Sequence, residues 1–552
     1  MNHFSNAKED IVQEAVDGLA SASGGQLLRL DGYPFIRVVA RADWDKSKVA
    51  IVSGGGSGHE PAHAGFVGKG MLTAAVCGDV FASPSVDAVL AGILAVTGEP
   101  GCLLIVKNYT GDRLNFGLAA ERARALGLKV EMIILEDDIA LPGAPKPRGV
   151  AGTLFAHKIA GGVADAGGTL ADVTRAARRA ATGAMTIGMS LDTCTIPGSP
   201  KTTRVAPGQI EMGLGIHGEA GADILPFEGA RQAVTDAVAR LKPLMNDGHY
   251  AVLLNNLGGT TALEMSLLAT ELINSSIGFQ LSHIIGPAPM MTALDMHGFS
   301  ISIYPMSVED EILLAAPTSV SAWPGLHQFS APRIAAVPDG LAPPKALASA
   351  DPEKSAFIRH CCGALIAAEA DLNALDAKTG DGDTGSTLAT AARALLTSID
   401  DLPLRDDTAL LRAIGQELSQ TMGGSSGVLL AILFSAAADA SAKGADMMQA
   451  LQKGLARMQE VGGAKLGDRT MVDALRPALE AFPLGAQEAA TAARTGANKT
   501  ASMRKAHAGR SAYLNADQLE GVIDPGAEAV ARLFEAIAQT PIHAHLSSSL
   551  YQ

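Results

Sequence analysis

Aromatic side chains are scarce: Phe, Trp and Tyr make up 4% of 552 residues. The core must therefore be built from Ala, Leu, Val and Ile. Cysteine is also rare, with five scattered copies of which Cys361 and Cys362 are adjacent. That excludes a disulfide framework, and the absence of any Cys-x-x-Cys pair leaves a structural zinc site unsupported. Basic residues are outnumbered, 43 against 57 acidic ones, giving a formal net charge of −14. Such a balance argues against a nucleic-acid partner, which needs basic patches to displace phosphate counterions. The most apolar run, Gly427 to Phe434, falls far short of the roughly 20 residues that span a bilayer. The first ten residues are polar, without a signal-peptide stretch. A reducing, cytoplasmic location is expected, with no membrane partner. Disorder is excluded by 47% apolar and 18% charged residues.

Glycine is abundant, at 60 residues, which predicts many tight turns and close backbone approaches. At roughly 150 residues per domain, the length suggests about three to four folding units. From about residue 35 to 335, short apolar runs alternate with helical stretches. Strands are expected at Val49 to Ser53, Cys102 to Val106, Val130 to Leu135, Ala251 to Asn256 and Ile301 to Tyr304. Helices such as Phe116 to Leu126 and Leu170 to Thr182 separate them, so an α/β domain over 1–335 is predicted. Leu326 to Pro352 is rich in Pro, Ala and Ser and reads as a linker. Beyond it, over 353–552, the apolar spacing is helical throughout. About eight helices are expected, the first from Lys354 to Leu375, so the second domain is all-α.

Five constellations carry chemistry. Gly54-Gly-Gly-Ser-Gly-His-Glu-Pro61 follows a strand, and successive glycines turn backbone N–H groups into one concavity that suits an oxyanion or a sugar hydroxyl. It lacks the Lys of a nucleotide-binding P-loop, and His59 stands where a dinucleotide fingerprint needs its third glycine. A tight strand–helix turn is the plainer reading. Lys107-Asn-Tyr-Thr-Gly-Asp112 lies just past a strand end, where open α/β sheets bind ligands. Asp112 can serve there as general base and Lys107 can stabilise negative charge, unless the segment is only a solvated turn. Gly213-Leu-Gly-Ile-His-Gly-Glu219 matches a dinucleotide fingerprint letter for letter, but no strand is expected before it and no helix after it. What remains is His217 among glycines, a possible nucleophile toward a carbonyl or a structural histidine.

The fourth constellation is the most specific. Asp376, Asp381 and Asp383 stand within eight residues around glycines. They repel one another unless cations lie between them, and Mg²⁺ is the hard cation that travels with nucleotide phosphates. An EF-hand does not fit, because the glutamate at its twelfth position is missing. Fifth, Met422-Gly-Gly-Ser-Ser-Gly427 opens a helix, where amides and hydroxyls suit phosphate oxygens or simply cap the helix. Two glycine-broken loops, Gly462 to Met471 and Ile523 to Gly526, are candidates to cover a nucleotide.

Together these motifs resemble the dihydroxyacetone kinase family in its single-chain, ATP-dependent form, in family order over essentially the whole chain. The resemblance implies an eight-helix barrel for the second domain. It implies that His217 attacks the substrate carbonyl and holds it as a covalent hemiaminal, which admits short carbonyl sugars and excludes glycerol. Asp112 would be the base, with Lys107 and His59 beside it, and Gly56, Ser57, Gly58 and His59 would position the ketone. Asp376, Asp381 and Asp383 would hold two Mg²⁺ ions bridging the phosphates of ATP. Nucleotide contacts would come from Thr384, Gly385, Ser386, Thr387, Gly424, Ser425 and Ser426. Gly463, Arg469, Met471, Asp524, Pro525 and Gly526 would complete that pocket. A homodimer is implied as well. The expected reaction is phosphorylation of dihydroxyacetone, with D-glyceraldehyde also accepted. The alternatives are a kinase for a longer ketose such as erythrulose, a lyase that cyclises FAD to FMN, and a non-catalytic carbonyl-binding regulator.

Overall fold

The computed structural model describes residues 4–32, 36–141, 143, 146–338 and 346–540, the side chain of Arg510 excepted. The chain folds as two compact units, Met1–Ile334 and Ala335–Gln552.

The first unit carries two sheets. The first contains β1 (Leu27–Arg29), β2 (Val38–Arg41), β3 (Ala50–Ser57), β4 (Ala74–Val80), β5 (Cys102–Lys107) and β6 (Val130–Leu135), in the order β1-β2-β4-β3-β5-β6. Strands β4, β3, β5 and β6 are parallel. β5 is buried at all six positions, the continuous apolar run of a sheet covered on both faces. The second sheet contains β7 (Met185–Ser190), β8 (Gln209–Met212), β9 (Asp223–Pro226), β10 (Tyr250–Asn256), β11 (Leu281–Pro289), β12 (Gly298–Pro305) and β13 (Leu326–Gln328), in the order β13-β11-β10-β12-β7-β8-β9. It is antiparallel except between β10 and β11. One core joins the sheets: Ile51, Leu103 and Ile105 of the first and Leu253 and Ile285 of the second pack with Leu154, Phe155 and Ile159 of helix Thr153–Asp165.

All five expected strands are present, and the strands that alternation missed are mostly short or small-residue segments. β4 reads Ala-Ala-Val-Cys-Gly-Asp-Val and is stabilised by its neighbours β2 and β3. The helix expected from Phe116 begins earlier and spans Thr110–Ala125. Leu326–Gln328, inside the expected linker, instead pairs with β11 as an edge strand. Residues 339–345 of that linker, with Pro343 and Pro344, lie outside the described residues.

Among its described residues the second unit has no strand. Its helices are Pro352–Ala367, Glu369–Asp376, Thr384–Ser398, Asp407–Thr421, Gly424–Ser441, Met447–Gly462, Val472–Ala481, Ala486–Thr500, Ala516–Leu519 and Pro525–Ala538. The single helix expected from Lys354 to Leu375 is broken at Ala368, which caps one piece and opens the next. The break lets Ala368 and Leu372 share a core with Ala529 of helix Pro525–Ala538. Helix Gly424–Ser441 is apolar enough to cross a bilayer by length and composition. Here it belongs to the bundle, with Ala431, Leu433, Ala437 and Ala438 buried beside helices Asp407–Thr421 and Met447–Gly462.

Gly54 shows how tightly the parallel sheet is packed: a Cβ there would lie 2.3 Å from the Val76 carbonyl oxygen in β4. Gly117, in helix Thr110–Ala125, has open space around it. Gly54→Ala is therefore expected to destabilise the α/β unit by about 1–3 kcal/mol in denaturant unfolding. Gly117→Ala should be stabilising by up to about 1 kcal/mol. Equal transitions for the two variants would contradict this packing.

Candidate active site

Consecutive parallel strands β3 and β4 lie to one side of β5, and β6 lies to the other. The order thus reverses between β3 and β5, and open α/β sheets bind ligands beyond the carboxyl ends of the strands at such a point. The glycine run does not follow β3, as expected, but forms its end: Gly54 to Ser57 belong to the strand. Lys107 is likewise the last residue of β5, and Asp112 sits in the first turn of helix Thr110–Ala125. Both side chains converge over Gly55, where a Cβ would lie 3.5 Å from Asp112 Oδ2 and 3.7 Å from Lys107 Cε.

Lys107 and Asp112 are both buried. Burial lowers the Lys107 pKa and the charge of Asp112 opposes that shift. Burial raises the Asp112 pKa, and the charge of Lys107 and a hydrogen bond from Ser83 oppose it. Desolvation wins in each case and moves both toward neutrality, the condition for a group that exchanges protons near neutral pH. Ser83 Oγ donates to Asp112 Oδ1, which leaves Oδ2 toward Gly55. Lys107 Nζ lies 5.6 Å from the Tyr109 ring centroid.

The second sheet supplies the opposite wall. His217 lies in the turn between β8 and β9. A strand does precede this glycine run, contrary to expectation, because Ile210 and Met212 are buried in β8. An antiparallel strand follows instead of a helix, so the dinucleotide reading fails on the following element. Arg148 steadies the turn: Nη2 donates to the Gly213 carbonyl at 2.6 Å and Nε pairs with Asp138 at 2.7 Å.

Two hydrogen bonds orient the histidine rings. His217 Nδ1 lies 3.1 Å from Glu219 Oε1, and the carboxylate accepts, so Nδ1 carries a proton and, in the neutral ring, Nε2 presents a lone pair. The Glu219 carboxyl is held down at about 2: burial alone would raise it, but the hydrogen bonds from the His217 ring and backbone outweigh that. His59 Nδ1 lies 2.8 Å from the Thr292 carbonyl oxygen, so its Nε2 also presents a lone pair. Burial and the charge of Lys107 push the His59 pKa well down, which keeps that ring neutral. The two rings meet edge-on with centroids 4.8 Å apart, and Tyr109 lies 4.4 Å from His217. Phe81 stacks on His59 at 5.3 Å.

In the helical unit, Asp376 ends helix Glu369–Asp376, and Asp381 and Asp383 follow on the turn. Each offers an oxygen within 4.8 Å of the others. Asp376 Oδ2 accepts from the backbone of Gly382, Asp383 and Thr384 at 3.0–3.2 Å, which fixes the carboxylate against the turn. Hard, clustered oxygen donors fit Mg²⁺. Asp383 then caps helix Thr384–Ser398, whose Ser386 hydroxyl accepts from Asn373 Nδ2 at 2.8 Å. Gly385 is required by packing, since a Cβ would lie 2.1 Å from the Glu369 carbonyl oxygen. Thr387 N–H bonds back to Asp383 at 2.9 Å.

The late loops converge. Arg469 is buried and donates from Nη2 to the Val522 carbonyl at 2.8 Å. Its Nε and Nη1 find no partner among the described residues. Met471 Cβ stands 3.3 Å from where a Gly526 Cβ would be. Asp524 caps helix Pro525–Ala538, and burial raises its carboxyl to about 6, with Asp473 and Asp376 adding to the rise. Gly424, Ser425 and Ser426 open helix Gly424–Ser441 and are not buried, and Gly463 is a left-handed cap with φ 74°. A cleft is lined by Lys378, Thr379, Gly380, Asp381, Tyr513 and Leu514. A larger groove, lined by Glu131, Thr174, Arg175, Arg178, Arg179 and Thr182, contains none of the site residues.

Ser83, Thr292 and Asp473 escaped sequence reasoning. Asp473 accepts from the Gly467 and Thr470 amides and so shapes the Arg469 loop. Ser83 and Thr292 meet their partners only through the tertiary fold. Glu219 and Tyr109 were legible as neighbours within their motifs, and the His-x-Glu spacing could have paired Glu219 with His217.

The Dak1 domain matches residues 17–322 and the DAK2 domain residues 378–539. The chain is 47% identical to the dihydroxyacetone kinase of Citrobacter freundii, over 98% of this chain and 99% of that protein. It is 39% identical to the triokinase/FMN cyclase of Mus musculus, over 97% and 98%. The crystal structure of the C. freundii enzyme in complex with AMP-PNP and Mg²⁺ superposes with a TM-score of 0.69 at 45% identity, covering 98% of this chain and 99% of that one.

Replacing Asp381 or Asp383 with Asn should weaken Mn²⁺ or Mg²⁺ binding at least about tenfold in calorimetric titration, since ligand charge sets affinity for hard cations. Both are exposed, so thermal unfolding should be little changed. Unaltered affinity would remove the carboxylates from the cation site.

Proposed function

The chain belongs to the dihydroxyacetone kinase family, and we propose the following chemistry for it. It transfers the γ-phosphoryl group of ATP to dihydroxyacetone, giving dihydroxyacetone phosphate, with Mg²⁺ as the metal. The observation that carries the site assignment is the pair of histidine rings oriented through Nδ1, His217 by Glu219 and His59 by the Thr292 carbonyl, beside a buried lysine–carboxylate pair.

His217 Nε2 attacks the ketone carbon. As the C–N bond forms, the C=O π electrons pass to the oxygen; the Nδ1 proton leaves through Glu219 to solvent and solvent returns one proton to that oxygen, so the adduct is a neutral hemiaminal. His59 Nε2 can accept a hydrogen bond from a hydroxyl of the bound sugar, and the Gly56-Ser57-Gly58 segment lies against it. Ser57 itself donates to the Gly78 carbonyl at 2.8 Å, so its contribution to the sugar is made through the backbone. Asp112 Oδ2 takes the proton of the terminal hydroxyl as that oxygen accepts the phosphoryl group. Lys107 balances the negative charge around it. The tether converts a small, weakly held sugar into a fixed one.

Asp376, Asp381 and Asp383 would hold two Mg²⁺ ions, which neutralise phosphate charge as the γ-phosphoryl group leaves. Arg469, with two unpartnered guanidinium nitrogens, is suited to a phosphate oxygen. The helix starts at Thr384 and Gly424 offer amides to others, with Ser425, Ser426 and Thr387 beside them. Gly463, Met471 and the Asp524-Pro525-Gly526 turn would close over the nucleotide.

D-glyceraldehyde is proposed as a second acceptor, because it presents a carbonyl beside a phosphorylatable hydroxyl. A cytoplasmic location is proposed from five free cysteines. Homodimerisation is proposed from exposed Leu263, Leu267 and Phe279 on the α/β unit, which a partner would cover.

ADP release from Mg-ATP should be fast with dihydroxyacetone, present with D-glyceraldehyde and absent with glycerol. Erythrulose and FAD run alongside separate the longer-ketose and lyase activities. Turnover of glycerol at the dihydroxyacetone rate would contradict the carbonyl requirement, and so would an unchanged KM for dihydroxyacetone in His217→Ala.

A further inference from the structure

On the inner side of Lys107 lies a second set of polar side chains that this chemistry does not use. His63 and His157 are buried, and their rings meet edge-on with centroids 5.2 Å apart. Thr153 stands one turn before His157 on helix Thr153–Asp165. Ser53 in β3 and Lys107 in β5 share a sheet face with Ile51, Leu103 and Ile105 by the two-residue period of a strand. Helix Thr153–Asp165 covers that face, since Leu154 and Ile159 pack with those residues. Ser53 Oγ donates to the Ile105 carbonyl at 2.7 Å, so it meets His63 Nδ1, 3.4 Å away, as an acceptor.

That leaves five buried atoms without a hydrogen-bond partner among the described residues: His63 Nε2, His157 Nδ1, His157 Nε2, Thr153 Oγ1 and Lys107 Nζ. A neutral imidazole always has one N–H and one lone pair, so His157 alone needs both an acceptor and a donor. Burial and then the charge of Lys107 lower both ring pKa values, that of His157 to about 3. Both rings are therefore neutral at working pH, and both feel the lysine. Buried polar groups left without direct bonds are the setting in which proteins hold internal water.

We propose that His157, His63 and Thr153 wall an internal hydrated chamber whose ordered water accepts hydrogen bonds from the Lys107 ammonium and relays them to the two neutral imidazoles. His157 and His63 are positioning residues: they act on the reaction through Lys107 and touch no substrate. The charged and titratable groups that face Lys107 come from every other side. They are Asp112 on helix Thr110–Ala125, Glu219 in the His217 turn, Asp137 after β6, and Glu60 and His59 after β3. Those carboxylates stabilise the charge through space, while the chamber satisfies the N–H groups themselves.

Two measurements on the full chain decide it. A high-resolution crystal structure of the wild type should show at least one ordered water within hydrogen-bond distance of Lys107 Nζ and of a ring nitrogen of His157 or His63. A dry chamber would overturn the proposal whatever the activity. The second measurement rests on the kinase reading and follows the basic limb of kcat/KM against pH. Removing acceptors disfavours the ammonium, so His157→Leu should move that limb to lower pH by about one unit, a tenfold change in the lysine equilibrium. His157→Gln, which keeps a donor and an acceptor, should restore the wild-type position. A folded His157→Leu variant with an unmoved limb overturns the proposal. Should that variant not fold, Thr153→Val carries the same expected shift and the same contrary result. Absence of kinase activity would count against the function, and the water observation would then decide the chamber.

Discussion

Two opposite charges, Lys107 at the end of β5 and Asp112 in the helix that follows, are held out of water, and the candidate site is arranged around that fact. Buried charges are costly unless they are paired and hydrogen-bonded. The fold answers in parts: Ser83 holds one oxygen of Asp112, and Gly55 leaves room for both side chains to converge. Both groups are left nearer neutrality than they would be in water. A base must give its proton up again after transfer, and a carboxylate locked in a fully satisfied ion pair would do that poorly.

The second sheet adds a different kind of control. Glu219 and the Thr292 carbonyl each accept a hydrogen bond from Nδ1 of one histidine, which leaves both Nε2 atoms for other partners. The helical unit solves the opposite problem, since its carboxylates gather charge that only cations can neutralise. Asp376 is tied down by three amides while Asp381 and Asp383 stay exposed.

Much of the fold and of the candidate site was legible in the sequence, because the residues able to carry chemistry lie in short glycine-containing segments. The α/β-then-α division followed from the change in apolar period near residue 350. Asp376, Asp381 and Asp383 announced themselves by mutual repulsion, and Lys107 and Asp112 by their place after an apolar run. What escaped depends on distant pairing. β4 and β8 are too short or too small-sided to read as strands, and only their neighbours make them so. Ser83 lies 29 residues before the carboxylate it serves, and Thr292 lies 233 residues from His59. The break at Ala368 carries no Gly or Pro and arises from packing against Ala529.

The proposed chemistry turns on a bond between His217 Nε2, in a ring oriented by Glu219, and the substrate carbon. A crystal structure of the chain soaked with dihydroxyacetone tests that claim most directly. Continuous density from Nε2 to a tetrahedral carbon, at covalent distance, is the predicted result. A planar ketone resting at van der Waals distance from His217 would contradict it.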